Sequence, residues 1–329
     1  MEKNHIIWID YVKCTCLILV FLYHSKDVWD VSLFSSLLSL CIPPFFMING
    51  WMMLRKERPY DALIKKAIKI WIITNIWAVL NGLSVQLFQG DKMSITQILG
   101  WVTSRSHDGY CHTLWFMDTL LILTLLCPLM YFLLKKAENL TRQFYLFFFL
   151  VCVTFIPKVA FHLHLSFMNG WMSYSLAYYV GGWLLFTHTE DLYRVKAGVL
   201  CVIATLSLFL QWGYVTLMLC NFPSVNNFLG LVQDSVFSGY RSPFTLITSF
   251  AMMAVICRLS INSNNIVRFI GSYSLGIYLL EGIGRKVLLY IFPMAESNLL
   301  TNAFGSFVIA IVFTWILTKT KITHNLVKL

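Results

Sequence analysis

Ten apolar runs, each close to the length of a membrane crossing, recur along this chain, and short loops rich in lysine and arginine separate them. A helix rises about 1.5 Å per residue, so roughly 20 apolar residues cross a hydrocarbon core about 30 Å thick. Inside that core each backbone N–H and C=O must find its partner within the segment, so such runs fold as helices. The runs lie at 7–27, 33–53, 67–88, 113–134, 144–163, 172–187, 198–220, 243–258, 269–291 and 301–318. Composition points the same way. The 329 residues are 58% hydrophobic and 12% charged, against about 25% charged in a soluble domain. So few charges cannot cover a water-facing surface of this size. The expected fold is all-α, a polytopic bundle of about ten transmembrane helices forming a single domain over 1–329.

Charge placement gives an orientation. With a cytoplasmic N-terminus, 18 of the 25 lysines and arginines fall on inner segments. The positive-inside rule then puts both termini in the cytoplasm, which needs an even number of crossings. The net charge of +10 therefore reads as loop charge, and no nucleic-acid partner is expected. The first run contains Asp10 and Lys13 and no small-residue cleavage site follows it, so it reads as a retained helix. The nine cysteines lie mostly within apolar runs and form no C-x-x-C pair. They read as small apolar side chains, and no metal site is expected. No internal repeat or linker interrupts the chain. The longest polar stretches, 89–112 and 221–242, are too short for a second globular domain.

Ionisable residues within a span are costly and mark candidate functional positions. The first run holds Asp10, Lys13 and His24. Eleven residues separate Lys13 from His24, which returns them to within about 20° of one helix face and about 16 Å apart along the axis. One face would then carry a cation near the inner boundary and an acid–base group toward the outer one. Snorkelling of both side chains to the headgroups explains the same spacing. Asp27, three residues past His24, is placed either to orient the imidazole or to begin the loop. The run 269–291 is the least lipid-like, with Glu281, Arg285 and Lys286. Glu281 and Arg285 stand at i, i+4, where they can pair with each other. The alternative is that Glu281 faces the cavity of His24 and orients the ring or holds a proton. The loop Arg55-Lys56-Glu57-Arg58 is either ordinary inner charge or a phosphate-binding mouth, since arginine forks match phosphate oxygens. His112 immediately precedes Thr113-Leu114-Trp115-Phe116 at an outer helix start, where Trp115 also suits an interface anchor.

Taken in order, these stretches resemble acyltransferase family 3, integral membrane O-acyltransferases that decorate bacterial surface glycans. Lys13 and His24 are similar to its Arg/Lys-x10-His signature. Pro43-Pro44-Phe45-Phe46-Met47-Ile48-Asn49-Gly50-Trp51 resembles its PxFFxxSGY run, with Asn49 where serine is usual. Arg55-Lys56-Glu57-Arg58 resembles its Arg-x-x-Arg motif, and His112-Thr113-Leu114-Trp115-Phe116 its HLWFL entry. Gly181-Gly182 matches a glycine point. Gly271 to Leu280 reads GSYSLGIYLL, similar to its SYSLGIYLxH run. The likeness covers about 10 to 280. It is closest to the enterobacterial common antigen and O-antigen O-acetyltransferases, which lack a C-terminal hydrolase-like domain; none is expected here. Two positions depart from the pattern. Glu281 stands where many members have histidine, and Lys13 replaces the commoner arginine, keeping the charge and losing the fork.

The resemblance implies transfer of an acetyl group from cytoplasmic acetyl-CoA to a hydroxyl of a lipid-linked or surface glycan, at a bacterial inner membrane. It implies His24 as general base, because a hydroxyl is a weak nucleophile and imidazole changes charge near neutral pH. Lys13 would neutralise donor phosphate or a developing oxyanion, and Arg55 and Arg58 would hold the coenzyme phosphates. Glu281 would serve proton handling, and Asp10, Asp27, His112 and Trp115 would support the site. Direct transfer is expected over an acyl-enzyme relay, since one histidine is strongly placed and no second nucleophile stands out. The rival class is a transporter or flippase, which would share the buried charges; the lack of an inverted repeat speaks against it.

Overall fold

The structure of the protein, a computed structural model, describes residues 6–25, 32–90, 94–97, 100, 114–160, 171–219 and 239–328. Regular structure among the described residues is entirely helical. The principal helices are α1 (Ile7–Ser25), α2 (Ser32–Leu38), α3 (Pro43–Leu54), α4 (Tyr60–Gln89), α5 (Trp115–Lys136), α6 (Leu140–Ala160), α7 (Trp171–Thr187), α8 (Ala197–Leu219) and α9 (Pro243–Ile256), then α10 (Asn265–Ser272), α11 (Ser274–Leu279), α12 (Glu281–Ile291), α13 (Leu299–Leu317) and α14 (Lys321–Val327). Among the described residues, six stretches are long and apolar enough to cross a membrane: Ile7–Ser25, Ser36–Leu54, Tyr60–Gln89, Trp115–Lys136, Ala197–Tyr214 and Leu299–Leu317. Leu140–Cys152 and Pro243–Ile256 are apolar but shorter.

Local chemistry sets the breaks. Pro43 and Pro44 lack the N–H that a continuing helix would need, so the run 33–53 is interrupted by a tight turn at Ser39–Cys41 and restarts as α3 with proline in its first turn. α4 ends at Gly90, whose φ of 74° suits a residue without a Cβ. Ser242 caps α9 by accepting from the Phe244 N–H, ahead of Pro243. Asn298 caps α13 by accepting from the Thr301 N–H at 3.0 Å.

The run 269–291 differs from a single span. It is divided into α10, α11 and α12, with turns at Tyr273 (φ −110°, ψ 20°) and Leu280 (φ −85°, ψ −5°). Four-residue hydrogen bonding continues through both turns, from Tyr273 N to Phe269 O and from Gly284 N to Leu280 O. These bonds carry part of the backbone pairing across the bends, as hydrocarbon requires.

The described helices group into two compact units. The first contains α1, α4, the start of α5 as far as Leu125, and α10 to α14. Its α1 packs on α10, α11 and α13, and α12 packs on α4 and α13. The second contains α2, α3, the remainder of α5, and α6 to α9. Its tightest crossing joins α3 to α7 through glycines. A Cβ on Gly182 would meet the Met47 backbone, and one on Gly50 would meet the Tyr179 backbone. Small residues let helix backbones approach in a membrane, where hydrophobicity gives no preference for one helix partner over another. A polar knot lies deep in the same unit. Gln211 and Thr245, both 0% exposed, bond to each other at 2.7 Å, and Thr245 also donates to the Gly239 carbonyl at 2.8 Å.

The arrangement of polarity is that of a membrane protein. Trp71, Ile72, Phe148, Phe149, Val202 and Val308 face outward, as lipid-contacting positions do, while Asn81, Gln211 and Glu281 are buried. Buried polar groups need partners, so the interior polar residues show where the chain invests in specific contacts.

Candidate active site

The polar face of α1 meets the bent segment α10–α12 at two levels. At the lower level, Lys13 Nζ donates to the Gly271 carbonyl at 3.4 Å. The helices touch closely there because residue 271 has no side chain: a Cβ would lie 2.7 Å from the Asp10 Cα. Asp10, one turn before Lys13, is buried and acts on it electrostatically. At the upper level, His24 Nδ1 lies 3.4 Å from Glu281 Oε2, with His24 15% exposed and Glu281 1%. A carboxylate this buried acts on the ring with little screening by solvent. The carboxylate faces Nδ1, which leaves Nε2 on the far side of the ring.

The same turn of α12 reaches α1 a second time. Arg285 Nη1 donates to the His24 main-chain carbonyl. Asn302 of α13 donates to the Ser25 carbonyl at 3.3 Å, and the Ser25 hydroxyl donates back to Phe21 O at 2.6 Å. Next to Arg285, Lys286 Nζ donates to the Ser84 hydroxyl of α4 at 2.9 Å. Ser84 in turn donates to the Asn81 carbonyl at 2.6 Å. The i, i+4 spacing of Glu281 and Arg285 suggested a pair between the two; in the structure both of them engage His24. Asn302 escaped the sequence reading, although a buried asparagine in an otherwise apolar run is itself a signal.

Trp115 is buried and stacks edge-on against Phe116, with ring centroids 6.3 Å apart. Phe116 lies 5.3 Å from the ring of Tyr278. The Trp115-Phe116 stretch and the 271–280 stretch thus come together in the first unit. Trp115 serves packing in this arrangement more than interface anchoring. Asp27 and His112 lie outside the described residues.

Arg55 and Arg58 belong to the second unit, at the end of α3. Arg55 is exposed and its guanidinium sits 5.6 Å from the centroid of the Trp51 ring. Arg58 donates to the Met52 carbonyl at 2.8 Å and to the Met53 carbonyl at 3.3 Å. It therefore caps the terminal carbonyls of α3, a place where a cation also complements the helix dipole. The sequence offered no sign of this second role.

A family model described as an acyltransferase domain matches residues 6–319. No curated protein and no solved structure matches the chain.

Proposed function

Taking as premise that the chain belongs to the acyltransferase-domain family, we propose that this integral membrane protein is an O-acetyltransferase that uses acetyl-CoA and a glycan hydroxyl. The observation that carries the reading is the buried contact of His24 Nδ1 with Glu281 Oε2 at 3.4 Å. A carboxylate on one ring nitrogen holds the tautomer that leaves the other nitrogen basic, and it stabilises the imidazolium that forms.

His24 Nε2 takes the proton of the acceptor hydroxyl as the oxygen attacks the thioester carbonyl. The tetrahedral intermediate collapses with cleavage of the C–S bond. The departing thiolate receives the proton from the imidazolium, so the enzyme ends as it began. Lys13 sits about 16 Å along the helix from His24, farther than a lysine side chain can span. Of its two implied roles, neutralising donor phosphate fits that distance and stabilising the oxyanion does not. Arg55 and Arg58 are assigned to the coenzyme phosphates on the resemblance of their motif, with Arg55 the more available fork. Asp10 supports Lys13. The bundle crosses the membrane ten times with both termini cytoplasmic, in a bacterial inner membrane. Its acceptor belongs to the lipid-linked or surface glycans, as in the common-antigen and O-antigen acetyltransferases.

The test is transfer of labelled acetyl from acetyl-CoA to a panel of lipid-linked glycans by detergent-purified protein, beside a folded His24→Ala variant. Turnover that the variant loses by a factor of at least about 100 supports a histidine base. Equal turnover removes His24 from the chemistry. No turnover by folded wild type with any acceptor favours a transporter.

A further inference from the structure

We propose that Arg285 and Asn302 are positioning residues that hold the main chain of α1 at His24 and Ser25 and so aim the His24 imidazole, an inference that rests on the reading of His24 as the base. His24 and Ser25 close the described part of α1, and each is bonded through its main-chain carbonyl to a neighbouring helix.

The neighbouring helices take up those groups. Arg285 donates to the His24 carbonyl, and Asn302 Nδ2 donates to the Ser25 carbonyl. Glu281 and Arg285 lie one turn apart on one face of α12. That face therefore grips a single residue twice, at the ring through Nδ1 and at the main chain through its carbonyl. With the backbone and the far end of the side chain both fixed, the ring has little freedom in between.

The clamp stands on a stiff base. α12 and α13 touch at Gly284, where a Cβ would come within 2.9 Å of the Ser306 carbonyl. Ser306 donates to the Asn302 carbonyl at 2.6 Å, and Asn302 is 2% exposed. Phe21 of α1 stacks on Phe307 of α13 at 5.1 Å between centroids. The three helices therefore move together at this level, and the imidazole moves with them.

The experiment uses the full-length protein in detergent with Arg285→Gln, Arg285→Lys and Asn302→Ala. It reads kcat, KM for acetyl-CoA, Tm and the rate at which diethylpyrocarbonate labels His24, followed by peptide mass spectrometry. Displacing a reacting group by about 1 Å costs about 100-fold in rate. Arg285→Gln is expected to lose about that much in kcat with KM within about twofold, and Arg285→Lys to recover most of it. Asn302→Ala, which removes one neutral hydrogen bond, is expected to lose about tenfold. His24 labelling changes severalfold in Arg285→Gln and Asn302→Ala and stays near wild type in Arg285→Lys. Unchanged labelling and unchanged kcat in Arg285→Gln overturn the proposal. So does a loss of kcat matched by a loss of folded protein with His24 labelling unaltered. If Arg285→Gln does not fold, Arg285→Lys and Asn302→Ala decide by the same readouts. If wild type transfers no acetyl group, the enzymatic reading fails, and the labelling rates still judge whether Arg285 and Asn302 hold His24.

Discussion

Replacing Glu281 by Gln removes one charge and leaves the size of the side chain nearly unchanged. Its carboxylate is 1% exposed and lies 3.4 Å from His24 Nδ1, so the substitution acts on the imidazole directly. A hydrogen bond to a charged group contributes about 1.5–3 kcal/mol, and each 1.36 kcal/mol changes a rate tenfold. Nδ1 and Oε2 stand beyond hydrogen-bond range, so the contact is electrostatic and the effect falls at or below that lower limit, about tenfold in kcat. The loss arises because the imidazolium formed during transfer no longer faces a carboxylate. KM for acetyl-CoA is expected to hold within about twofold. Stability is expected to hold or rise, since a buried charge carries a desolvation cost that its partner only partly offsets. The assay is steady-state acetyl transfer with Tm measured on the same preparations. Unchanged kcat would refute the role given to Glu281. A fall in kcat tracking a fall in folded protein would make the residue structural only.

Gly182→Ala would drive a Cβ into the Met47 backbone, which cannot rotate aside, and should destabilise the second unit by about 1–3 kcal/mol in thermal unfolding. Gly198→Ala, at an exposed helical glycine whose added Cβ meets nothing within 4 Å, should instead raise Tm slightly, by up to about 1 kcal/mol of stability; equal Tm values for the two variants would refute the close crossing. Arg55→Ala should raise KM for acetyl-CoA about tenfold at unchanged Tm, whereas Arg58→Ala should lower Tm as well, because it uncaps α3. A donor KM indifferent to Arg55 would remove the phosphate role from that motif.

Much of the architecture is legible in the chain itself. In hydrocarbon the backbone must satisfy itself within each segment, so run length and composition suffice to foresee helices, and every one of the ten apolar runs contains one. The shared face of Lys13 and His24 also follows from helical geometry alone, and both residues meet the same bent segment. The run 33–53 reads as one crossing in the sequence, whereas the structure interrupts it at Ser39–Cys41 and restarts it as α3 at Pro43. The subdivision of 269–291 was less legible, because its charges marked it as unusual without showing where it would bend.

What the sequence by itself determined is the set of helices, the polar positions on them and the order of the motifs, because these depend on interactions within a few residues. Only the tertiary structure decided the partners. It paired Glu281 with His24 across more than 250 residues of chain, sent Arg285 to a main-chain carbonyl, turned Arg58 into a helix cap and brought Phe116 against Tyr278. The physical reason is that lipid makes every apolar helix face nearly equivalent. The choice of neighbour then falls to close approach at small residues and to a few polar contacts, and neither leaves a periodic trace in the sequence.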